Sequence, residues 1–226
     1  MNRWRRMLCK GLSALSLAGS GVACTQAQPN FPQAPAGRSW TPEELERMHR
    51  FRGVMGYEFF VSGFGSNSKE GVFARLFDDK GTPLDSGSFW DKGDSKSSHA
   101  IRPPGLMKSL NAKVYLSMDG PLLYDVVIPI ADRIPDDLLD ELRRERGNLR
   151  IKIRLHQEGV LLGWDIQRRP GFNPKKRDKW GEAVYVGPVH SFAGGDFREA
   201  EIFNGQVIRK GWYIHPRTKE RIETDF

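Results

Sequence analysis

The stretch Leu149-Arg150-Ile151-Lys152-Ile153-Arg154-Leu155-His156 decides the fold class. Its aliphatic residues fall on every second position, and in a β-strand successive side chains point to opposite faces. Leu149, Ile151, Ile153 and Leu155 therefore share one face, and Arg150, Lys152, Arg154 and His156 share the other. This predicts a half-buried strand with a basic outer side, as in an antiparallel sheet that packs one face on a core. Gln157-Glu158-Gly159 supplies a turn, and residues 160–166 return as the second strand of a hairpin.

Toward the N-terminus, residues 132–147 read as a helix. Pro135 fits its first turn, Asp136 and Asp137 sit where the helix dipole favours negative charge, and Arg143, Arg144 and Arg146 sit where it favours positive charge. Leu138, Leu139 and Leu142 make the buried stripe, and Gly147 is the expected C-cap. Helix electrostatics therefore accounts for the acidic pair without any catalytic role. Earlier still, residues 57–61, 71–77, 112–118 and 122–130 are short runs rich in Val, Ile and aromatics. Turn signals at 65–67, 78–81, 91–98 and 119–121 separate them, which predicts strands joined mostly by hairpins. Thr41-Pro42-Glu43-Glu44 is a helix start, with a Thr N-cap, Pro at the first helical position and Glu closing a capping box. Leu45 and Met48 give that helix its apolar side, and Gly53 ends it.

Toward the C-terminus, residues 168–182 break the strand pattern with two prolines, two glycines and six basic residues. The pattern resumes over 183–189, and Asn204-Gly205 inside 201–208 is the most specific hairpin signal in the chain. The expected fold is α+β, a mainly antiparallel β-sheet with two short helices, formed by residues 41–226 as one domain.

The first 40 residues carry a different message. Arg3, Arg5, Arg6 and Lys10 precede a modestly apolar run over 11–23 that ends in small residues, the order of a secretory signal. The run is too short and too rich in Gly and Ser to span a bilayer, which needs about 20 apolar residues. Gly21-Val22-Ala23-Cys24 resembles a bacterial lipobox, with Gly21 where Leu is usual, and that resemblance implies cleavage of residues 1–23 and lipidation of Cys24. Ordinary cleavage after Ala23 or Ala27 is the alternative. Arg5-Arg6-Met7-Leu8-Cys9-Lys10 also resembles a twin-arginine export signal. Residues 25–40 hold three prolines and few core formers, so 24–40 reads as a lipidated cysteine on an extended tether.

Removing residues 1–23 from the 226 leaves 203, and losing four cations lowers the formal charge from +7 to +3. The precursor's basicity thus overstates that of the working chain, and nucleic acid is not implied as a partner. Cys24 would be the one cysteine left, unable to form an internal disulfide and a liability as a free thiol outside the cytoplasm. Lipidation removes that liability.

No cluster specifies a reaction. His49, His99, His156, His190 and His215 show no zinc-motif spacing, and there is no Gly-x-Ser-x-Gly elbow and no phosphate-binding loop. Ser66, Ser68, or Ser191 beside His190, are the nearest approach to a hydrolase site. The chain is expected to be no enzyme and to carry no metal and no cofactor. The loudest stretch is 168–180, where Arg168, Arg169, Lys175, Lys176, Arg177 and Lys179 surround Phe172 and Trp180. One reading is a solvated, mobile loop. The other is a contact surface for an acidic protein, since Arg and Trp are typical hot-spot residues, or for anionic lipid headgroups.

Gly195-Asp196-Phe197-Arg198-Glu199, followed by Lys210-Gly211-Trp212-Tyr213-Ile214-His215-Pro216-Arg217-Thr218-Lys219, reads as a hairpin plus a turn. With residues 124–130, the Pro-started helix and residues 160–165, it resembles uncharacterised bacterial lipoproteins of a domain-of-unknown-function family. Some of these sit beside type VI secretion lipase effectors as immunity proteins. The resemblance covers about half the chain by pattern, not by an exact motif, and transfers no catalytic residue. It implies an envelope lipoprotein facing the periplasm that binds and neutralises a secreted toxic enzyme. A structural or assembly lipoprotein is the alternative, and a hydrolase acting on lipid or wall material is the third. Thr25, not Asp, follows Cys24, which points to the outer membrane under the enterobacterial sorting rule.

Overall fold

A computed structural model describes residues 32–64, 72–89, 94–145, 147–168, 171–177, 179–180, 183–186, 189–203 and 206–225. The signal, Cys24 and the tether up to residue 31 lie outside the described residues, as do Ser66, Ser68, Arg146 and Arg169. The decisive octet forms strand β7 (Asn148–His156), and the predicted return strand is β8 (Gly159–Arg168), paired antiparallel with it from Asn148↔Gln167 to His156↔Gly159. Leu149, Ile151, Ile153 and Leu155 are fully buried, as the alternation requires.

Around this hairpin a five-stranded sheet is completed by β1 (Gly56–Phe64), β4 (Asp94–Ala100) and β11 (Val189–Gly195), in the order β11-β8-β7-β1-β4. A second sheet has the order β3-β2-β5-β6, built from β2 (Val72–Asp78), β3 (Pro83–Phe89), β5 (Ser109–Tyr115) and β6 (Leu122–Pro129). The two sheets share one core, in which Phe59, Val61, Ile151 and Ile153 of the first meet Ala74, Leu76, Leu110 and Ala112 of the second. Helix α2 (Asp136–Arg144) adds Leu138, Leu139 and Leu142 to it. Helix α1 (Pro42–Arg50) begins with the predicted capping box, closed by Thr41 and Glu44. The fold is α+β and mainly antiparallel.

Several expectations require correction. β1 is not in a hairpin with β2; it pairs in parallel with β7, Tyr57↔Leu149 through Phe64↔His156, and antiparallel with β4. β4 lies on the 91–98 stretch read as a turn. Its polar sequence suits an edge strand, where Lys and Ser discourage pairing with another chain. β3 occupies the other sheet's edge and was not expected; Pro83 begins it, a position where the missing N–H costs no ladder bond. β5 ends at Tyr115, three residues before the predicted end, which leaves Met118 in the turn and 64% exposed.

The second helix is also shorter than predicted. Residues 131–133 form a 3₁₀ turn, Pro135 is the N-cap, and α2 stops at Arg144 with Glu145 as C-cap. Proline disfavours helical backbone in the residue before it, so Ile134 stays extended and the helix begins only after Pro135. Gly147 serves packing, not capping: a Cβ there would stand 2.7 Å from Ile166 Cγ2.

The basic side of β7 is not a solvent face. Lys152 is 6% exposed, because small C-terminal strands and the carboxylates they bring lie over it. Those strands are β12 (Phe197–Arg198), β15 (Gly211–Ile214) and β16 (Arg221–Thr224), which form their own sheet around Phe197, Tyr213 and Ile222, with Leu161 of β8 beneath. A Cβ on Gly163 would stand 2.8 Å from the Phe197 ring, so a glycine in β8 is what lets that ring lie on the sheet. β13 (Glu201–Phe203) pairs antiparallel with β14 (Gln206–Arg209), as the hairpin reading of 201–208 predicts, while Asn204 and Gly205 lie outside the described residues.

Candidate partner-binding surface

The 168–182 stretch, read from sequence as a break in the pattern, contains strand β9 (Gly171–Arg177). It pairs antiparallel with β10 (Ala183–Val186) in a two-stranded sheet of its own. Phe172, Lys175, Lys176 and Arg177 lie on β9, while Lys179 and Trp180 lie in the turn that follows it. A proline at 174 is compatible with such a strand because a two-stranded ribbon has only edges. The stretch is therefore a hairpin and not the loop expected from its composition.

Trp180 is 76% exposed, and the Lys179 ammonium lies 4.7 Å from its ring centroid. A tryptophan in water leaves a large apolar area unburied, and the cation over its face is an attraction that desolvation strengthens. The turn thus offers a ring and a positive charge together.

Arg168 does not belong to this offering. Its guanidinium donates to Glu141 Oε1 at 2.8 Å and to Ser191 Oγ at 2.8 Å, and approaches Glu145 at 3.8 Å. It ties the end of β8 to α2 and to β11. The same contact settles the geometry of the His190-Ser191 pair. Ser191 Oγ is taken by Arg168, while His190 Nδ1 lies 3.7 Å from Asp165. Adjacent residues in a strand face opposite ways, so the two side chains do not meet as nucleophile and base.

Beneath His190 lies the covered side of β7. Asp165, 1% exposed, receives Arg150 on both oxygens and Lys152 at 3.1 Å. Glu199 receives Lys152 at 3.0 Å and Arg154 at 3.5 Å. Burial works to raise the Asp165 pKa, but the Arg150 hydrogen bond and the Lys152 charge outweigh it and hold the carboxyl below its usual range. Burial, and then the positive charge of Arg150, push the His190 imidazole below its usual range. Three cations and two anions, each in contact with its neighbours, make this a charge-paired seam, with one positive charge in excess, between the sheet and its C-terminal cover.

One feature of the surface had no signal in the periodicity. Phe192 sits in a bulge of edge strand β11, between Ser191 and Gly194, with φ of 55° and 42% exposure. A bulky residue in the left-handed region is uncommon, and it holds an apolar ring in solvent here. Gly194-Gly195 marks the bulge in sequence, but nothing there marks Phe192 as exposed.

Among the described residues no group of three His, Cys, Asp or Glu side chains could hold a metal ion, and no helix is long and apolar enough to cross a membrane. No family model, no curated protein and no solved structure matches this chain.

Proposed function

We propose that the chain is an exported lipoprotein of the bacterial envelope, anchored through Cys24, whose β9–β10 hairpin docks on an acidic protein. The partner that fits the reading best is a secreted toxic enzyme, which the chain neutralises by covering its active site. The observation that carries this reading is Trp180, exposed in a turn of a strand pair that bears Lys175, Lys176, Arg177 and Lys179. An aromatic anchor with one cation over its ring and three more along the adjoining strand has the composition of an interface hot spot for a negatively charged surface. Phe192 adds a second exposed ring whose strained backbone, costing about 1–2 kcal/mol, is of the kind retained at functional sites.

The experiment has two arms. Labelling with a fatty-acid probe should appear in the wild type and vanish in Cys24→Ser; labelling that survives the substitution defeats the anchor. A deletion strain should be killed by neighbouring attackers and be rescued by the wild-type gene but not by Trp180→Ala together with Lys179→Ala. Deletion strains that stay resistant while their envelope permeability changes would replace this reading with a structural role.

A further inference from the structure

Two histidines meet where the turn between β7 and β8 touches the C-terminal cover. The rings of His156, at the end of β7, and His215, just after β15, stand edge to face with centroids 5.2 Å apart, and Tyr213 flanks them at 6.3 and 6.4 Å. The backbones are close as well: a Cβ on Gly159 would stand 2.7 Å from Pro216 Cβ. Glu158 joins the two turns, with one carboxylate oxygen 3.1 Å from His215 Nε2 and the other 3.1 Å from Arg217.

Each ring also holds the backbone of its own turn. His156 Nδ1 accepts from the Glu158 N–H at 3.0 Å, and His215 Nδ1 accepts from the N–H groups of Arg217 and Thr218 at 3.3 and 3.2 Å. A backbone N–H can only donate, so both Nδ1 atoms are unprotonated and each neutral ring carries its proton on Nε2. Added acid therefore protonates Nδ1, which turns the acceptor into a second donor aimed at an N–H. We propose that the pair is an acid-released latch: with neutral rings it holds the 215–220 turn of the cover to the β7–β8 turn, and protonation of each ring breaks its own turn and frees that end of the cover.

The groups around the pair oppose further positive charge with one exception. Arg154, on the same face of β7 as His156, and Arg217 and Lys219 on the cover's turn are cations, and each charged ring would repel the other. Glu158 attracts both imidazolium rings, but it shares its carboxylate with Arg217 and supplies the N–H that a protonated His156 repels. Glu220 accepts from the Thr218 hydroxyl. Tyr213 and Tyr124, whose hydroxyl donates to the carbonyls of His156 and Gly159, are phenols and add no charge in acid. Burial, and then His215, hold the His156 imidazole below its usual value, the sign expected of a ring whose charged form the site rejects. The cover's ties at Asp196 and Glu199 are carboxylates, a class that keeps its charge to about two pH units below imidazole, so the latch opens before they do. The β9–β10 hairpin takes no part, and the latch stands or falls separately from the partner reading.

The test follows the full ¹⁵N-labelled chain by NMR from pH 7.5 to 5.0. Ring nitrogen shifts at pH 7.5 should show both histidines protonated at Nε2 and bare at Nδ1. As the pH falls, exchange of the Glu158, Arg217 and Thr218 amides, corrected for intrinsic rate, should quicken about tenfold or more with a midpoint below 6.5, while Leu162, bound to Asp196, and Ile151 change less than about twofold. Asparagine two residues before an N–H can accept from it as an Asx turn and does not titrate. His156→Asn should therefore lose the acid response at Glu158, and His215→Asn should lose it at Arg217 and Thr218. A proton on either Nδ1 at pH 7.5, no quickening in acid, equal quickening at Leu162, or an undiminished response in the asparagine variants would overturn the latch. The wild-type measurements decide even where a variant does not fold.

Discussion

Asp165 and Lys152 show what a single buried charge does in this molecule. Removing an ion-pair partner is costly when it leaves a buried charge uncompensated, about 3–5 kcal/mol. Asp165→Asn leaves Arg150 and Lys152 facing a neutral amide and should cost about that much. Lys152→Met is gentler, because Asp165 keeps Arg150 and Glu199 keeps Arg154, and a loss of about 1 kcal/mol is expected. Urea denaturation of the two variants checks the order; equal losses would show that the seam does not share its charges. Two histidines set the acid response. Burial holds the His156 imidazole below its usual 6.5, with the nearby His215 adding to the effect, and His190 is lowered as well. The folded state therefore binds fewer protons than the unfolded chain as pH falls through 6.5, and stability is lost from there downward. Asp165 and Glu199, held below their usual values, contribute stability above about pH 4.5 that is lost only at lower pH. Denaturation at pH 7.5 and 5.5 should show a fall that is smaller in His156→Asn.

Single elements show why part of the fold was legible in sequence and part was not. β7 and β8 were legible because an alternating strand, a short turn and a return strand are all local, and local pairing fixes its own register. The parallel partnership of β1 with β7 was not, because the whole second sheet and α2 intervene between the two strands. Polar edge strands such as β4 escape detection for the reason they are safe: they lack the apolar alternation that would invite another chain. The candidate surface divides likewise. Trp180 and its cations stand together in sequence, but Arg168 is withdrawn by Glu141, which is 27 residues away and on a helix. Helix α1 offers the sharpest test of a feature read correctly from four residues. Thr41 Oγ1 accepts from Glu44 N–H at 3.2 Å and Glu44 Oε2 accepts from Thr41 N–H at 3.0 Å. Thr41→Ala removes the first of these bonds and should cost about 1 kcal/mol, seen as a lowered urea midpoint with an unchanged slope.

Across the whole molecule, the C-terminal strands are a cover joined to the main sheet by a small apolar cluster and by carboxylates, among them Asp196, Glu199 and Glu158, the last meeting His215 and Arg217 at 3.1 Å each. Asp196 accepts from Arg133 at 2.6 and 2.9 Å and from Leu162 N–H at 2.9 Å, while its own carbonyl accepts from Ile214 N–H at 2.7 Å. Glu199 makes the second tie through Lys152 and Arg154. The cluster beneath, Leu161, Phe197, Tyr213 and Ile222, is small beside the main core, so the ties matter more to this cover than any one ion pair matters to the sheets. Regions with few buried apolar contacts open locally at less than the global unfolding free energy. Asp196→Ala should therefore act on the cover first, losing about 2 kcal/mol of protection there. Hydrogen exchange can separate the outcomes. Amides of Tyr213 and Ile222, which pair across β15 and β16, should exchange faster in the variant, while Ile151 in β7 keeps its wild-type protection. If Ile151 and Ile222 lose protection equally, the cover and the sheets unfold as one unit, and the seam of Arg150, Lys152, Asp165 and Glu199 is an interior feature of a single cooperative fold.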